Sequence, residues 1–295
     1  MRVADSSLAR QALRGIHESR RQLGAVQVQL ASGRRFTRAS QAPPAAARAD
    51  TLRNQLETLG RYQASSHTAA DRLRAVTATV AVLTELVQDA LQLAVASGSG
   101  ALTAADRSCL ALEAEEIAGA VLDLANSSWM GRHLFGGHLT ADPPFARETG
   151  AGGYTFAYRG DGGEVIREVG PGCTVTLNLP GDAVFGSPLE AVERLRQALV
   201  DNDPASLAET TSALHQALDQ VLQHQAVLGV RTAHLELWAD HLGTMNCAYA
   251  ENLSREEDLD FTKAVSDLHT REIAYQASLA VAARLLQPSL LDYLR

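Results

Sequence analysis

Hydrophobic residues recur every seven positions near both ends of the chain. Close to the N-terminus the spacing holds for Ile16, Leu23 and Leu30, and close to the C-terminus for Leu268 and Tyr275. A seven-residue apolar repeat is typical of a helix that packs along a narrow seam against another helix. The pattern therefore predicts two terminal helices that pair with each other.

Two inner segments carry the same repeat over more turns, with Ser66 as the one polar interruption. The seam positions are Leu52, Leu59, Leu73, Val80 and Val87 in the first segment, and Leu207, Leu214, Val221, Leu228, Leu235, Leu242 and Tyr249 in the second. A helix over the second run would be about 70 Å long. A helix of that length needs a second long helix beside it, so we expect the two inner segments to pair.

The centre of the chain has a different texture. Residues 131–187 contain the short β-branched or aromatic runs YTFAY, EVIREV and TVTLNL, which predict strands. The first two runs are separated by RGDGG, and its Asp-Gly pair predicts a hairpin turn between them. This region is therefore expected to be a small β insertion.

Three helix starts can be located by their capping signals. Thr103 with Asp106 matches a capping box, and Asp203 before a proline is a second start signal. Ser187 before Pro188 predicts an N-cap serine followed by proline in the first helical position.

The resulting fold prediction is a mainly α protein, a long antiparallel coiled-coil bundle with nested terminal helices and a small β-rich insertion. The predicted divisions are the N-terminal helix (1–38), long middle helices (39–130), the β insertion (131–187), the C-terminal middle helices (188–256) and the C-terminal helix (257–295).

Composition narrows the functional classes. The net charge of −8 gives no basic footprint for nucleic acid. No stretch is expected to span a membrane, and no signal peptide is recognised in the first residues. The three cysteines, Cys109, Cys173 and Cys247, are widely spaced, which predicts buried or idle thiols rather than a disulfide framework.

Candidate chemistry is sparse. We predict no catalytic residues, no metal site and no cofactor, because no nucleophile elbow, HExxH motif or paired-carboxylate arrangement is present. His234 and His241 share a helix face but lack the four-residue spacing of a metal pair. The RGD tripeptide at Arg159–Asp161 is interpreted as a turn rather than an adhesion motif.

Four segments carry a family resemblance. They are QLASGRRFTRASQAPPAAARADTLRNQLETL, NSSWMGRHLFGGHLTADPPF, VLGVRTAHLE and SLAVAARLLQPSLLDYLR. Together they resemble the conserved segments of the flagellin family, in order and over most of the chain. Two stretches depart from the family pattern: SQAPP stands where the family has Ser-Asp-Asp-Pro, and WMGRHLF replaces an Asn-Gly pair and a tyrosine.

The resemblance implies a structural protein of the bacterial flagellum, extracellular and exported unfolded through the type III apparatus without a cleaved signal peptide. It implies a ring of subunits between the hook side and the filament. The implied partners are copies of itself, an adjacent hook-associated protein, flagellin, an export chaperone and the export apparatus, with no nucleic acid and no membrane. The expected assembly interface is the apolar face of the terminal helices: Ile16, Leu23, Leu30, Leu268, Tyr275, Leu279, Leu286 and Leu290.

Three other interpretations remain open at this point. A short flagellin would have the same helices and would polymerise alone into long filaments. A helical scaffold unrelated to flagella would bury its terminal helices as ordinary core. An enzyme is the least supported of the three.

Overall fold

The computed structural model describes residues 2–98, 102–150 and 153–286. Long helices dominate, with short strands between the third and fourth helices. In chain order the elements are α1 (Arg2–Ser32), α2 (Pro43–Ser97), α3 (Ala104–Ala125), β1 (Ser128–Trp129), β2 (Arg132–His133), β3 (Phe145–Gly150), β4 (Gly153–Tyr158), β5 (Ile166–Gly170), β6 (Cys173–Thr176), α4 (Ser187–Asp201), α5 (Pro204–Glu257) and α6 (Phe261–Leu286). The mainly helical prediction is confirmed.

The chain divides into two compact units. One comprises Met1–Thr58 and Met245–Arg295, and the other comprises Leu59–Thr244. Both α2 and α5 run through the boundary, so each long helix contributes one end to the first unit and the rest to the second.

The core of the Leu59–Thr244 unit is built from the two predicted seams. On α2 the second-seam residues Val76 and Leu83 are fully buried, as are Leu73, Val80 and Val87. The α5 seam residues from Leu207 to Leu235 join them in one hydrophobic cluster, to which α3 and α4 also contribute. Ser66, which interrupts the repeat, is itself buried. The two inner segments therefore share one core within this unit.

The helix starts agree with prediction in two cases out of three. Thr103 and Asp106 form the expected reciprocal capping box on α3. Asp203 accepts hydrogen bonds from the Ala205 backbone and the Ser206 hydroxyl at the start of α5. Ser187 is not an N-cap, because a π-helical turn, Asp182–Gly186, runs directly into α4 and leaves Ser187 already helical.

The β region consists of three separate antiparallel hairpins: β1 with β2, β3 with β4, and β5 with β6. The prediction that RGDGG forms a hairpin turn is wrong. YTFAY pairs with FARETG, a strand that precedes it in the chain and was not predicted. EVIREV pairs with the strand that follows it. RGDGG instead connects two hairpins, and the Asp161 carboxylate accepts the backbone N–H groups of His138 and Gly163.

The last hairpin is anchored on the long helices by polar contacts. The Ser65 hydroxyl donates to the Glu168 carbonyl at 2.9 Å, and the Trp238 indole donates to the Val169 carbonyl at 2.8 Å. Arg231 donates to the Asn178 carbonyl at 2.9 Å. These bonds satisfy carbonyl groups beyond the hairpin's own pairing, so the short hairpin is held in place by α2 and α5 rather than by a larger sheet.

The sequence-based statement about membrane spans needs one correction. By length and composition alone, α2 contains a stretch apolar enough to cross a membrane. The same test is passed by the core helix of a globular protein, and the seam of α2 is buried inside this one.

Candidate assembly interface

The two terminal helices, α1 and α6, pack against each other within their own unit. On the facing sides Val26, Ala264 and Ala282 are buried. The Arg271 guanidinium donates to the Gln22 side chain at 2.8 Å across the pair. The predicted pairing of the chain ends is therefore present in the structure.

Five of the eight predicted interface residues are half-buried on these two helices. Ile16, Leu23 and Leu30 on α1 are half-buried, as are Leu268 and Tyr275 on α6. Their seven-residue spacing keeps them on one side of each helix. The five side chains are therefore partly covered, and each keeps some apolar surface accessible.

The remaining predicted residues lie at the end of α6. Leu279 is 42% exposed. Leu286 is the last helical residue, and its side chain is not among those described. Leu290 lies outside the described residues.

A second set of apolar side chains on the same helices was not assigned to the interface from the sequence, although Phe261 and Val265 follow the seven-residue repeat. All are at least 47% exposed: Leu13, Val28, Phe261, Val265, Ile273 and Val281. We call these six residues the outer apolar set. At about 100° of rotation per residue, Leu13 and Val28 lie on one free side of α1. Plotting every apolar residue by angle, rather than following one seven-residue phase, would have identified these two.

A helix that is apolar on more than its one packed side has surface left to cover. Leu13, Val28, Ile273 and Val281 lie off the seven-residue seam, whereas Phe261 and Val265 lie on it. Pairing of α1 with α6 leaves about half or more of each of these side chains exposed. Such exposed apolar area on paired helices is typical of a protein–protein contact surface.

The paired helices are fixed at one end, where α1 stops and α6 begins. Gly33, in the left-handed conformation with φ of +67°, ends α1. Its carbonyl accepts from the Leu259 backbone at 2.9 Å, and the Arg35 backbone donates to the Glu257 carbonyl at 2.7 Å. These two backbone hydrogen bonds join the segment that follows α1 to the segment that precedes α6. They therefore hold the two helices together at this end.

Ion pairs reinforce this connection between distant parts of the chain. Arg48 donates two hydrogen bonds of 2.9 Å to the Glu256 carboxylate, and Arg53 pairs with the buried Glu257. The hydrogen bonds from Arg48 lower the pKa of the Glu256 carboxyl below its ordinary value, and the same contact raises the pKa of Arg48. Sequence reasoning did not find these pairs, because the partners of Arg48 and Arg53 lie more than two hundred positions away.

The other sequence candidates for chemistry lie apart from this pair of helices. Among residues 2–98, 102–150 and 153–286, no group of three or more His, Cys, Asp or Glu side chains could hold a metal ion. His234 and His241 are exposed on α5. Within the RGD tripeptide, Arg159 pairs with Glu148 while Asp161 is engaged by backbone N–H groups.

The cysteine prediction is only partly right. All three thiols are free, but Cys109 and Cys247 are exposed and Cys173 is half-buried, so none is a core residue.

Comparison with known proteins places both ends of the chain in one family. Residues 3–140 match the family model described as the bacterial flagellin N-terminal helical region, and residues 211–294 match the bacterial flagellin C-terminal helical region. Flagellar hook-associated protein 3 of Escherichia coli (strain K12) is 25% identical over 94% of this chain and 95% of its own length.

Solved structures share the fold. The crystal structure of Bacillus cereus FlgL has a TM-score of 0.62 and 20% identity, covering 69% of this chain and 99% of the solved one. The flagellar junction protein FlgL from Legionella pneumophila has a TM-score of 0.60 and 15% identity, covering 72% of this chain and 99% of its own.

Proposed function

This chain belongs to the flagellin family, and from that premise we propose that it is a structural subunit of the bacterial flagellum that joins the hook side to the flagellin filament. The family consists of flagellar structural proteins, so this chain is expected outside the cell, in the flagellum. The proposed position at the junction is supported by the hook-associated and junction proteins to which the chain is similar along most of its length.

One observation carries the proposal. The terminal helices pair with each other and still expose the outer apolar set, in the two parts of the chain that match the flagellin helical regions. Each large apolar side chain transferred from water into a contact contributes about 1.5–3 kcal/mol. Repeated contacts between neighbouring subunits would bury these residues and order the helices together.

We assign the interface to both faces of the pair. Ile16, Leu23, Leu30, Leu268, Tyr275, Leu279, Leu286 and Leu290 remain the proposed assembly residues. The outer apolar set is added to them, because these side chains have no large apolar cover within the described chain. We also propose the five divisions of the chain that were predicted from its sequence.

The partners follow from the position in the axial structure. Copies of this chain would form a ring, with a hook-associated protein on one side and flagellin on the other. An export chaperone would cover the terminal helices before assembly, and the type III apparatus would export the chain without cleavage of a signal peptide. No catalytic role is included in this function.

A short flagellin is the alternative with the most in common, because it would share the family and the helices. The two proposals differ in what the purified chain does alone. A filament subunit polymerises into long filaments by itself, whereas a junction subunit stops at a short assembly and needs flagellin to continue.

Deletion of the gene in the source bacterium tests the function directly. We expect cells that retain hooks, lack filaments and release flagellin into the medium, and a plasmid copy should restore filaments. Deleted cells that still grow normal filaments would overturn the proposal. Deleted cells that release no flagellin of any kind would favour the filament-subunit alternative.

A further inference from the structure

Charge is divided unevenly between the two units of the chain. The unit of Met1–Thr58 and Met245–Arg295 has fifteen Lys or Arg residues and twelve Asp or Glu residues, whereas the Leu59–Thr244 unit has eleven and twenty-two. One unit is therefore weakly basic and the other is strongly acidic. Two copies of such a chain attract each other when a basic surface of one meets an acidic surface of the other.

The basic unit has a groove of about 620 Å³ in the segment that joins α1 to α2 and in the first turns of α2. Arg34, Arg38 and Arg53 line this basic groove, and Asp50 is the one acidic residue in the lining. Arg53 pairs with Glu257. The side chains of Arg34 and Arg38 are exposed, and within residues 2–98, 102–150 and 153–286 no carboxylate forms an ion pair with either of them.

Small side chains fill the lining between the arginines. They are Ala39, Pro43, Ala46 and Ala47. The last three belong to the first two turns of α2, and no acidic residue is present in the first turn of this helix. The positive end of the helix dipole therefore adds to the charge of the arginines. Small residues let another helix come close, and arginine binds carboxylates through paired hydrogen bonds. The groove thus fits a helix that carries carboxylates beside an apolar side chain.

Helix α3 of the acidic unit presents such a face. Leu112 is 66% exposed, and Glu113, Glu116 and Asp123 are exposed as well. At about 100° of rotation per residue, Leu112, Glu116 and Asp123 fall within about 40° of one another, with Glu113 beside them. The one basic residue of α3 lies in its first turn. We call these four residues the acidic face; none of its three carboxylates forms an ion pair in the described part of the chain.

We propose that the basic groove binds the acidic face of a second copy of this chain, with Leu112 covering the small lining residues. Glu113 and Glu116 then bring their carboxylates to the exposed arginines. A small anion could neutralise the arginines, but it would leave both Leu112 and the apolar lining in water, whereas a protein contact buries them behind a polar rim.

The contact joins two unlike surfaces, and the two surfaces lie in different units. Each copy can therefore bind one neighbour through its groove and another through its acidic face. A contact of this kind repeats from copy to copy and closes into a ring when the rotation allows. This inference rests on the proposed function only in expecting copies of the chain to lie next to one another.

Charge reversal on each surface tests the contact, by sedimentation of the purified full-length chain at low salt. Arg38→Glu and Glu116→Arg each place like charges across the contact. We expect each to associate about tenfold more weakly than the wild type, equivalent to about 1.4 kcal/mol. Arg74→Glu and Glu236→Arg are the matched controls, because each reverses an exposed charge outside the two surfaces, and both should associate like the wild type.

The two reversed chains are more informative together. The groove of the Arg38→Glu chain and the acidic face of the Glu116→Arg chain have opposite charges again. An equimolar mixture should therefore associate more strongly than either variant alone. The double variant should recover the association of the wild type, because the same pair is restored with its charges exchanged. Added NaCl should weaken association of the wild type and of the double variant alike.

Three results would overturn the proposal. The first is equal association of the wild type and both single reversals, and the second is a wild-type chain that stays monomeric at every concentration. The third is weaker association of both single variants with no recovery in the mixture or in the double variant. That result would show that the two surfaces do not bind each other. Thermal unfolding of each variant checks that the exposed substitutions leave the fold intact.

Complementation separates this inference from the proposed function. A wild-type gene that fails to restore filaments to the deleted strain counts against the function itself. An Arg38→Glu gene that restores filaments as well as the wild type counts against the docking contact alone. Restoration by the double variant, where each single variant restores fewer filaments, would support the contact in the cell.

Discussion

Ile273 offers the sharpest separation between folding and assembly. Its side chain, on α6, is 66% exposed, so about two-thirds of its surface is available to a neighbour. Full burial of such a side chain contributes about 1.5–3 kcal/mol, and the available share therefore contributes about 1–2 kcal/mol per contact. That corresponds to about a 5- to 30-fold change in the equilibrium of each contact.

Replacement of Ile273 by glutamate should weaken assembly by more than this amount. The apolar contribution is lost, and a carboxylate must be moved out of water into the contact at a further cost. The isolated chain should be almost unaffected, because exposed substitutions by a good helix former change stability by about 0.5 kcal/mol or less. Ile273→Ala removes the contact without adding a charge, so its defect should be intermediate.

The assay is a count of filaments in the deleted strain carrying each variant, alongside thermal unfolding of the purified chain. Gln276→Glu is the matched control, since it adds the same charge at an exposed polar position of the same helix. Secreted amounts are measured for every variant, so that an export defect is not mistaken for an assembly defect. Normal filament numbers with Ile273→Glu at normal secretion would refute the assignment of this surface to assembly.

Three further predictions concern the fold that carries this surface. Leu228 is fully buried in the α5 seam, so Leu228→Ala should cost about 2–5 kcal/mol of unfolding free energy in chemical denaturation; a loss under 1 kcal/mol would contradict the packing described. Gly137 has φ of +68° and no room for a Cβ, whereas Gly229 is helical with open space around it, so Gly137→Ala should destabilise and Gly229→Ala should stabilise by about 0.5–1 kcal/mol. The fold lowers the pKa of Glu256, so its contribution to the unfolding free energy is complete above the carboxyl's unfolded pKa and is lost as the pH falls through its folded pKa. Replacing Arg48 by glutamine should raise the pKa of Glu256 measured by NMR. An unchanged pKa would refute the ion pair.

The long-range order of the chain could be predicted because the seven-residue repeat reports directly on which side of a helix is buried. Leu73, Leu214 and Leu228 were placed correctly from spacing alone, and each is fully buried. The capping box at Thr103 was also predicted correctly, because it depends on residues only three positions apart. Where one short stretch of sequence determines the geometry, sequence reasoning succeeded.

Errors arose where the outcome depends on a choice between partners. RGDGG has turn chemistry, but YTFAY pairs with the polar strand FARETG, whose alternation gave no strong strand signal. Ser187 has the residues of a helix start, but the preceding segment continues into the helix as a π turn. Arg48 and Glu256 are separated by most of the chain, and only the folded structure brings them together.

Amide hydrogen exchange of the purified monomer tests the central claim most directly. Residues 7–32 and 261–286 are compared with 69–94 and 207–242, which hold the buried seams of α2 and α5. The account predicts fast exchange in α1 and α6 beside slow exchange in the middle helices, because the terminal helices depend on neighbouring subunits for much of their burial. Equal, strong protection of all four segments would contradict it, since the terminal helices would then be complete without a partner.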